Sequence, residues 1–152
     1  MRVERAHETD LQALVALNNR FAPQGLTLPR TEEFAYAHLA DYRIIRDADG
    51  GVVACAALDE YSPSVAELIS LAVTPDTQGV GYGKALIAAV ERLARQRGYA
   101  ELFAVSYSDE LFLACGFVHA ELSAYPEKVA RYARNRSEIE VGEKHCFMKT
   151  LA

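Results

Sequence analysis

Cysteine is scarce in this 152-residue chain, and Cys55, Cys115 and Cys146 stand isolated from one another. No disulfide framework is suggested by so few, so widely spaced thiols. The four histidines, His7, His38, His119 and His145, make no ligand spacing with them. His145 and Cys146 are adjacent, so in a strand they would point to opposite faces, and no metal site is expected. Long apolar runs are also missing: none approaches the ~20 residues of a membrane span. The N-terminus lacks the charged-then-apolar pattern of a secretion signal. A soluble, cytoplasmic protein is the expectation. Positive charge is in deficit, 16 Lys and Arg against 21 Asp and Glu, for a net −5, which argues against nucleic acid as the main partner. No repeat, low-complexity tract or linker divides the chain. Residues 1–152, 51% hydrophobic, therefore read as one domain with an adequate core.

The stretch Leu68 to Ile87 organises what is present. Leu68–Val73 has the length of a buried strand, and Thr74-Pro75-Asp76 stops it. Leu86, Ile87, Val90, Leu93 and Ala94 then recur at helical spacing up to the break at Gly98. Between them, Gly79, Gly81 and Gly83 open the helix. A helix N-terminus offers unpaired N–H groups and partial positive charge, so a glycine turn at its start suits a phosphate. A Walker loop would need Ser or Thr after Gly83-Lys84, where Ala85 stands. The dinucleotide fingerprint G-x-G-x-x-G is one residue longer than Gly79-Val80-Gly81-Tyr82-Gly83. Gln/Arg-x-x-Gly-x-Gly fits Gln78 to Gly83 at every position.

In chain order, Arg2–Ala6 reads as a strand and Leu11 to Asn19 as a helix after the acids Glu8 and Asp10. Residues 21–30 read as loop, and Thr31 caps a second helix running to about Leu39. Tyr42–Asp47 and Val52–Glu60 flank Asp49-Gly50-Gly51, a hairpin signal. Glu67 is expected to open the central strand. Strands at Leu102–Val105, Phe117–Leu122 and Cys146–Leu151 follow, with a short helix at Asp109–Cys115. Pro126–Arg136, helical or irregular, is unusually basic.

The Gln78–Gly83 pattern resembles the pyrophosphate loop of the GNAT N-acetyltransferases, which hold acetyl-CoA. The element order β-α-α-β-β-β-α-β-α-β-β and Gly116-Phe117 after a short helix resemble the same family. The resemblance implies an α/β fold, with a mixed, twisted sheet of six to seven strands and helices on both faces. It implies acetyl-CoA as cofactor, held by Gln78, Gly79, Val80, Gly81, Tyr82, Gly83 and Lys84, with Leu71, Ala72 and Val73 as oxyanion and pantetheine contacts. Phe112 stands where most of the family carries a tyrosine that protonates the departing thiolate. Leu28-Pro29-Arg30-Thr31, Cys55-Ala56-Ala57-Leu58, Ala66-Glu67-Leu68, Phe103 to Tyr107, Tyr125 to Lys128 and Arg136-Ser137 resemble, in order, the acetyltransferase domain of N-acetylglutamate synthases.

That resemblance implies acetyl transfer to the α-amine of a small acidic amino acid, glutamate first, as in arginine biosynthesis. Glu67 is then the general base; its other reading is a surface glutamate at a strand edge. Ser106 matches the synthase general acid and equally suits a cap on the following helix. Tyr107, whose free pKa of about 10 suits thiolate protonation, is the reserve. Arginine forks bind carboxylates bidentately, so Arg30 and Arg136, helped by Ser137, are expected on the side-chain carboxylate. Backbone groups at Leu28 and Ser70 are expected near the α-carboxylate. Lys128, Arg131 and Arg134 complete the basic segment, and Glu138–Lys144 reads as an insertion against the synthase ending. Direct attack is preferred over a cysteine nucleophile. Other small amines, a protein N-terminus, or a non-catalytic acetyl-CoA-binding domain are the rival readings. The resemblance allows a homodimer and implies weak or absent arginine feedback.

Overall fold

The computed structural model describes residues 2–24, 29–134 and 144–151. Seven strands form one sheet: β1 (Val3–Arg5), β2 (Tyr42–Arg46), β3 (Val52–Ser62), β4 (Val65–Val73), β5 (Glu101–Ser106), β6 (Val118–Ala120) and β7 (His145–Thr150). Their spatial order is β1-β2-β3-β4-β5-β7-β6. Only the β4–β5 pairing is parallel; the other neighbours run antiparallel. The described α-helices are α1 (Leu11–Arg20), α2 (Glu32–Ala37), α3 (Tyr82–Gln96), α4 (Asp109–Ala114) and α5 (Pro126–Arg134), with short 3-10 turns between elements.

The middle of the sheet is apolar on both faces, which is why β3 reads as a continuous run rather than an alternation. Ala54, Ala56 and Leu58 join α3 residues Leu86, Ile87, Val90 and Leu93 in one buried cluster. Cys55 and Ala57, on the other face, pack with Leu14 and Leu17 of α1 and Ala35 of α2. Burial of each large aliphatic side chain contributes roughly 2 kcal/mol. A third cluster joins Phe103, Tyr125 and Cys146, with the Phe103 and Tyr125 rings stacked at 3.7 Å. It seats the start of α5 against β5.

Several boundaries differ from expectation for physical reasons. Helix α1 continues to Arg20, because Asn18 is buried and Asn19 has long-range partners. Strand β4 begins at Val65 rather than Glu67, since Val65 and Ala66 already pair with Glu101 and Leu102. Pro126–Arg134 is a helix, with proline at its first position, where its missing N–H costs nothing. The final strand starts at His145 and β6 is only three residues long.

Two features open the sheet. Parallel pairing of β4 with β5 stops at Glu67↔Phe103, although β4 runs on to Val73 and β5 to Ser106. Within β4, Ala57 pairs with Ile69 and Cys55 with Ala72, so Ser70 and Leu71 together face Ala56. Such a bulge bends and twists its strand. Ser70 has φ +57, a left-handed conformation that costs a non-glycine residue about 1–2 kcal/mol. Tyr42 Oη donates to Ser70 Oγ at 3.3 Å, and Cys55 Sγ donates to the Ser70 carbonyl at 3.3 Å. These bonds from β2 and β3 hold the bulge in place.

Candidate active site

A cavity of about 550 Å³ fills the gap where β4 and β5 part. Residues 67–73 form one wall and residues 104–108 the other. Glu67, the last parallel-paired residue of β4, therefore sits at the apex. Expected as a strand opening, with a surface position as its alternative, it lies inside the strand and is only 3% exposed.

The glycine turn closes the far end of β4. Gly79 and Gly81 have φ +84 and +93, and Gly81 is the N-cap of α3 without a side-chain cap. A Cβ at either would meet nothing within 4 Å, so glycine is required there by φ and not by space. Gly83 differs: a Cβ there would lie 3.1 Å from Leu111 Cδ2, so this glycine allows α3 to approach α4. No acidic residue occupies the first turn of α3, and Lys84 lines the cavity. Open N–H groups, positive helix polarity and a lysine fit a phosphate-bearing ligand. Gln78 donates through Nε2 to the Val73 carbonyl at 3.0 Å, tying the turn to the strand end. Val80 is 60% exposed and is not among the residues lining the cavity, so the loop offers a phosphate its backbone N–H and not its side chain. Gln78, Tyr82, Leu71, Ala72, Val73 and Phe112 do line it.

Phe112 is 1% exposed, stacked on Phe147 and edge-on to Phe117. It supplies an apolar wall and no proton. Ser106 and Tyr107 lie on the opposite wall from β4. Ser106 Oγ accepts the Ser108 N–H at 3.0 Å, a local turn bond that leaves its own hydroxyl proton available. The Tyr107 ring lies 5.5 Å from Lys144 Nζ. Cysteine chemistry finds no support, because burial pushes the Cys55 thiol up to about 12 and Cys146 up to about 11, and raises Cys115 as well. A thiol so raised holds little thiolate at neutral pH.

Positive charge gathers at the cavity from separate elements. Lys128 of α5 is 3% exposed and places Nζ 2.6 Å from Glu67 Oε2. Lys144 also lines the cavity; burial pushes its ammonium down to about 8, Lys128 adds to the fall, and Glu67 opposes it. Arg30 lines the cavity with its guanidinium 4.5 Å from the Phe34 ring centre. Its backbone is clamped by Asn19, whose Nδ2 donates to the Arg30 carbonyl and whose Oδ1 accepts the Arg30 N–H, both at 2.8 Å. Leu28, Arg136 and Ser137 lie outside the described residues. In the sequence, Lys128 counts as one cation of a basic segment suited to an acidic acceptor, and nothing marks Lys144 or Asn19 as site residues. The basic run from Lys128 is visible in the sequence, but nothing local signals that Lys128 turns inward.

The Acetyltransferase (GNAT) family description matches residues 11–117. An uncharacterized N-acetyltransferase of Chlorobaculum tepidum is 27% identical over 149 residues, 98% of this chain and 96% of that one. The amino-acid acetyltransferase of Ralstonia nicotianae is 37% identical over 120 residues, 78% of this chain and 26% of that protein. Its Neisseria meningitidis counterpart is 34% identical over 82% of this chain and 29% of its own length. The chain thus spans less than a third of either amino-acid acetyltransferase. Among solved structures, N-acetylglutamate synthase from Neisseria gonorrhoeae, complexed with coenzyme A and N-acetyl-glutamate, superposes with TM-score 0.84 at 30% identity, covering 99% of this chain and 35% of that one. Rv2747 from Mycobacterium tuberculosis, in complex with CoA, superposes with TM-score 0.87 at 21% identity over the whole of both chains, a likeness of fold. Among the described residues, no helix is long and apolar enough to cross a membrane.

Proposed function

This chain belongs to the GNAT family and is an acetyl-CoA-dependent N-acetyltransferase, and from that premise we propose that its acceptor is the α-amine of a small acidic amino acid, L-glutamate first. The observation that carries this reading is the buried Glu67–Lys128 pair at the cavity apex, with Lys144 and Arg30 on the same cavity. One carboxylate faces several cations, which complements a ligand carrying one ammonium and two carboxylates. The amino-acid acetyltransferase relatives support it.

Bound acetyl-CoA supplies an acetyl thioester whose carbonyl carbon the amine attacks. Gly79–Lys84 hold the phosphates at the N-terminus of α3. Glu67 Oε takes a proton from the substrate ammonium, directly or through one water, leaving a free amine to form the C–N bond. Backbone N–H groups at Leu71–Val73, in the bulge and just after it, donate to the thioester oxygen as it gains charge. A hydroxyl proton from Ser106, or from Tyr107, goes to the sulfur as the C–S bond breaks, and the oxygen left behind takes up the second proton that the nitrogen sheds as it becomes the amide. Arg30 takes the side-chain carboxylate and the β4 backbone at Ser70 the α-carboxylate, while Arg136, Ser137 and Leu28 keep only the acceptor roles that the synthase resemblance implies. Phe112 keeps water from the thioester.

Thiol release from acetyl-CoA, measured against glutamate, glutamine and aspartate, tests this. Glutamate-selective turnover is expected, suppressed by Glu67→Gln and weakened by Arg30→Ala mainly through the glutamate KM. Equal turnover of glutamine would remove the acidic acceptor. An unaffected Glu67→Gln enzyme would remove the base.

A further inference from the structure

Away from the cavity, Asp109, His119 and His145 come together from three elements. Asp109 opens α4, His119 is the middle residue of β6, and His145 opens β7. His119 pairs with Phe147, so His145, two residues from Phe147, shares a face with His119 by the two-residue period of a strand. His145 Nδ1 lies 2.5 Å from Asp109 Oδ2. The two imidazoles meet edge to face with centroids 5.7 Å apart. One ligand atom from each of the three lies within 4.8 Å of the other two.

We propose that Asp109, His119 and His145 form a surface site for a divalent first-row transition ion of the zinc class. Two imidazoles and one carboxylate are a borderline donor set that suits zinc, cobalt or nickel and not the oxygen-seeking magnesium or calcium. Three protein ligands, with both histidines exposed, leave room for water at a fourth position, as in open zinc sites. An ion pair alone would need only Asp109 and His145. The chain holds such a two-membered pair elsewhere, His38 Nδ1 to Asp41 Oδ2 at 2.8 Å, and there the described residues bring no third ligand.

The site adjoins the cavity through the backbone. His145 registers against Ser106 across the β5–β7 ladder and follows Lys144, while Asp109 follows the cavity-lining Tyr107 and Ser108. An ion there fastens the start of α4 to β7, and with it the turn carrying Ser106 and Tyr107.

Titration with Co²⁺, read by its visible d–d absorption and by equilibrium dialysis, tests the proposal without any assay of acetyl transfer. One ion per chain is expected, with a rise in melting temperature on Co²⁺ addition. His119→Gln and His145→Gln should each weaken binding about 10-fold or more, whereas His38→Gln should leave it unchanged. Circular dichroism of each variant verifies folding. No saturable binding by the wild-type chain, or equal binding by the His119→Gln/His145→Gln double variant, overturns the site. Equal loss in His38→Gln would show that paired His–Asp groups suffice, and would overturn it too.

Discussion

Glu67 and Lys128 form an ion pair at 2.6 Å, each only 3% exposed, at the point where β4 and β5 separate. Desolvating two charges is expensive, and such pairs are often no more stable than apolar replacements. Breaking one is a different matter. Lys128→Met should cost roughly 3 kcal/mol, because the Glu67 carboxylate stays buried after its ammonium is gone. Glu67→Gln/Lys128→Met should recover much of that loss while remaining inactive. Urea denaturation of the two single variants and the double gives the coupling energy. A cycle that closes near zero would mean that the pair is not intact in solution.

Lys144 links the cavity to pH. Its folded value of about 8 lies below the ordinary lysine value of 10.5, so between those values the unfolded chain binds more protons than the folded one. Its contribution to stability therefore rises with pH through that window; at neutral pH, where it is charged in both states, it opposes folding. The effect on acceptor binding has the other sign. If the Lys144 ammonium assists a carboxylate, glutamate affinity falls as pH rises through about 8. Substrate amine deprotonation raises turnover over a similar range, so the informative quantity is the ratio of wild type to Lys144→Arg. That ratio of kcat/KM for glutamate should decline above about pH 8, because a guanidinium stays charged. A flat ratio would place Lys144 outside acceptor binding.

Asn19 is expected to act through Arg30. Its amide closes a two-bond clamp on the Arg30 backbone at 2.8 Å and 2.8 Å, and each such bond is worth about 1 kcal/mol. Asn19→Ala should raise the glutamate KM about 10-fold, the equivalent of one to two such bonds, and leave the acetyl-CoA KM and kcat close to wild type. Steady-state kinetics with each substrate varied separately distinguishes this from general destabilisation. A parallel loss of kcat would show that Asn19 supports the fold and not the acceptor pocket.

What is legible in the sequence is what local rules determine. The strand, glycine turn and helix from Leu68 to Gln96 follow from an apolar run, backbone freedom at Gly79 and Gly81, and helical periodicity, all visible within one short window. The seven-stranded mixed sheet with helices on both faces agrees with the expected fold. Long-range pairing is not legible in the same way. Strand β4 starts at Val65 because β5 is there to pair with it, and that moves Glu67 from a strand opening to a buried apex. Lys128 belongs to a visibly basic run, but its inward position depends on how Tyr125 stacks on Phe103 and seats α5. Asp109, His119 and His145 are far apart in sequence and meet only because β6 and β7 pair beside α4.

The glycine turn offers a test in which two similar substitutions should fail for different reasons. Gly81 has φ +93 and open space where a Cβ would sit, while at Gly83 a Leu111 methyl lies 3.1 Å from that position. Gly81→Ala should therefore carry a conformational cost of about 1–2 kcal/mol and reorient the first N–H groups of α3, raising the acetyl-CoA KM. Gly83→Ala should press on Leu111, and trimming that side chain should relieve it. Gly83→Ala/Leu111→Ala is expected to bind acetyl-CoA more tightly than Gly83→Ala alone, whereas Leu111→Ala should not rescue Gly81→Ala. Isothermal titration with acetyl-CoA on these variants, alongside their melting temperatures, reads both effects. Rescue of Gly81→Ala by the Leu111 change would mean that crowding, and not backbone conformation, fixes glycine at the N-cap of α3.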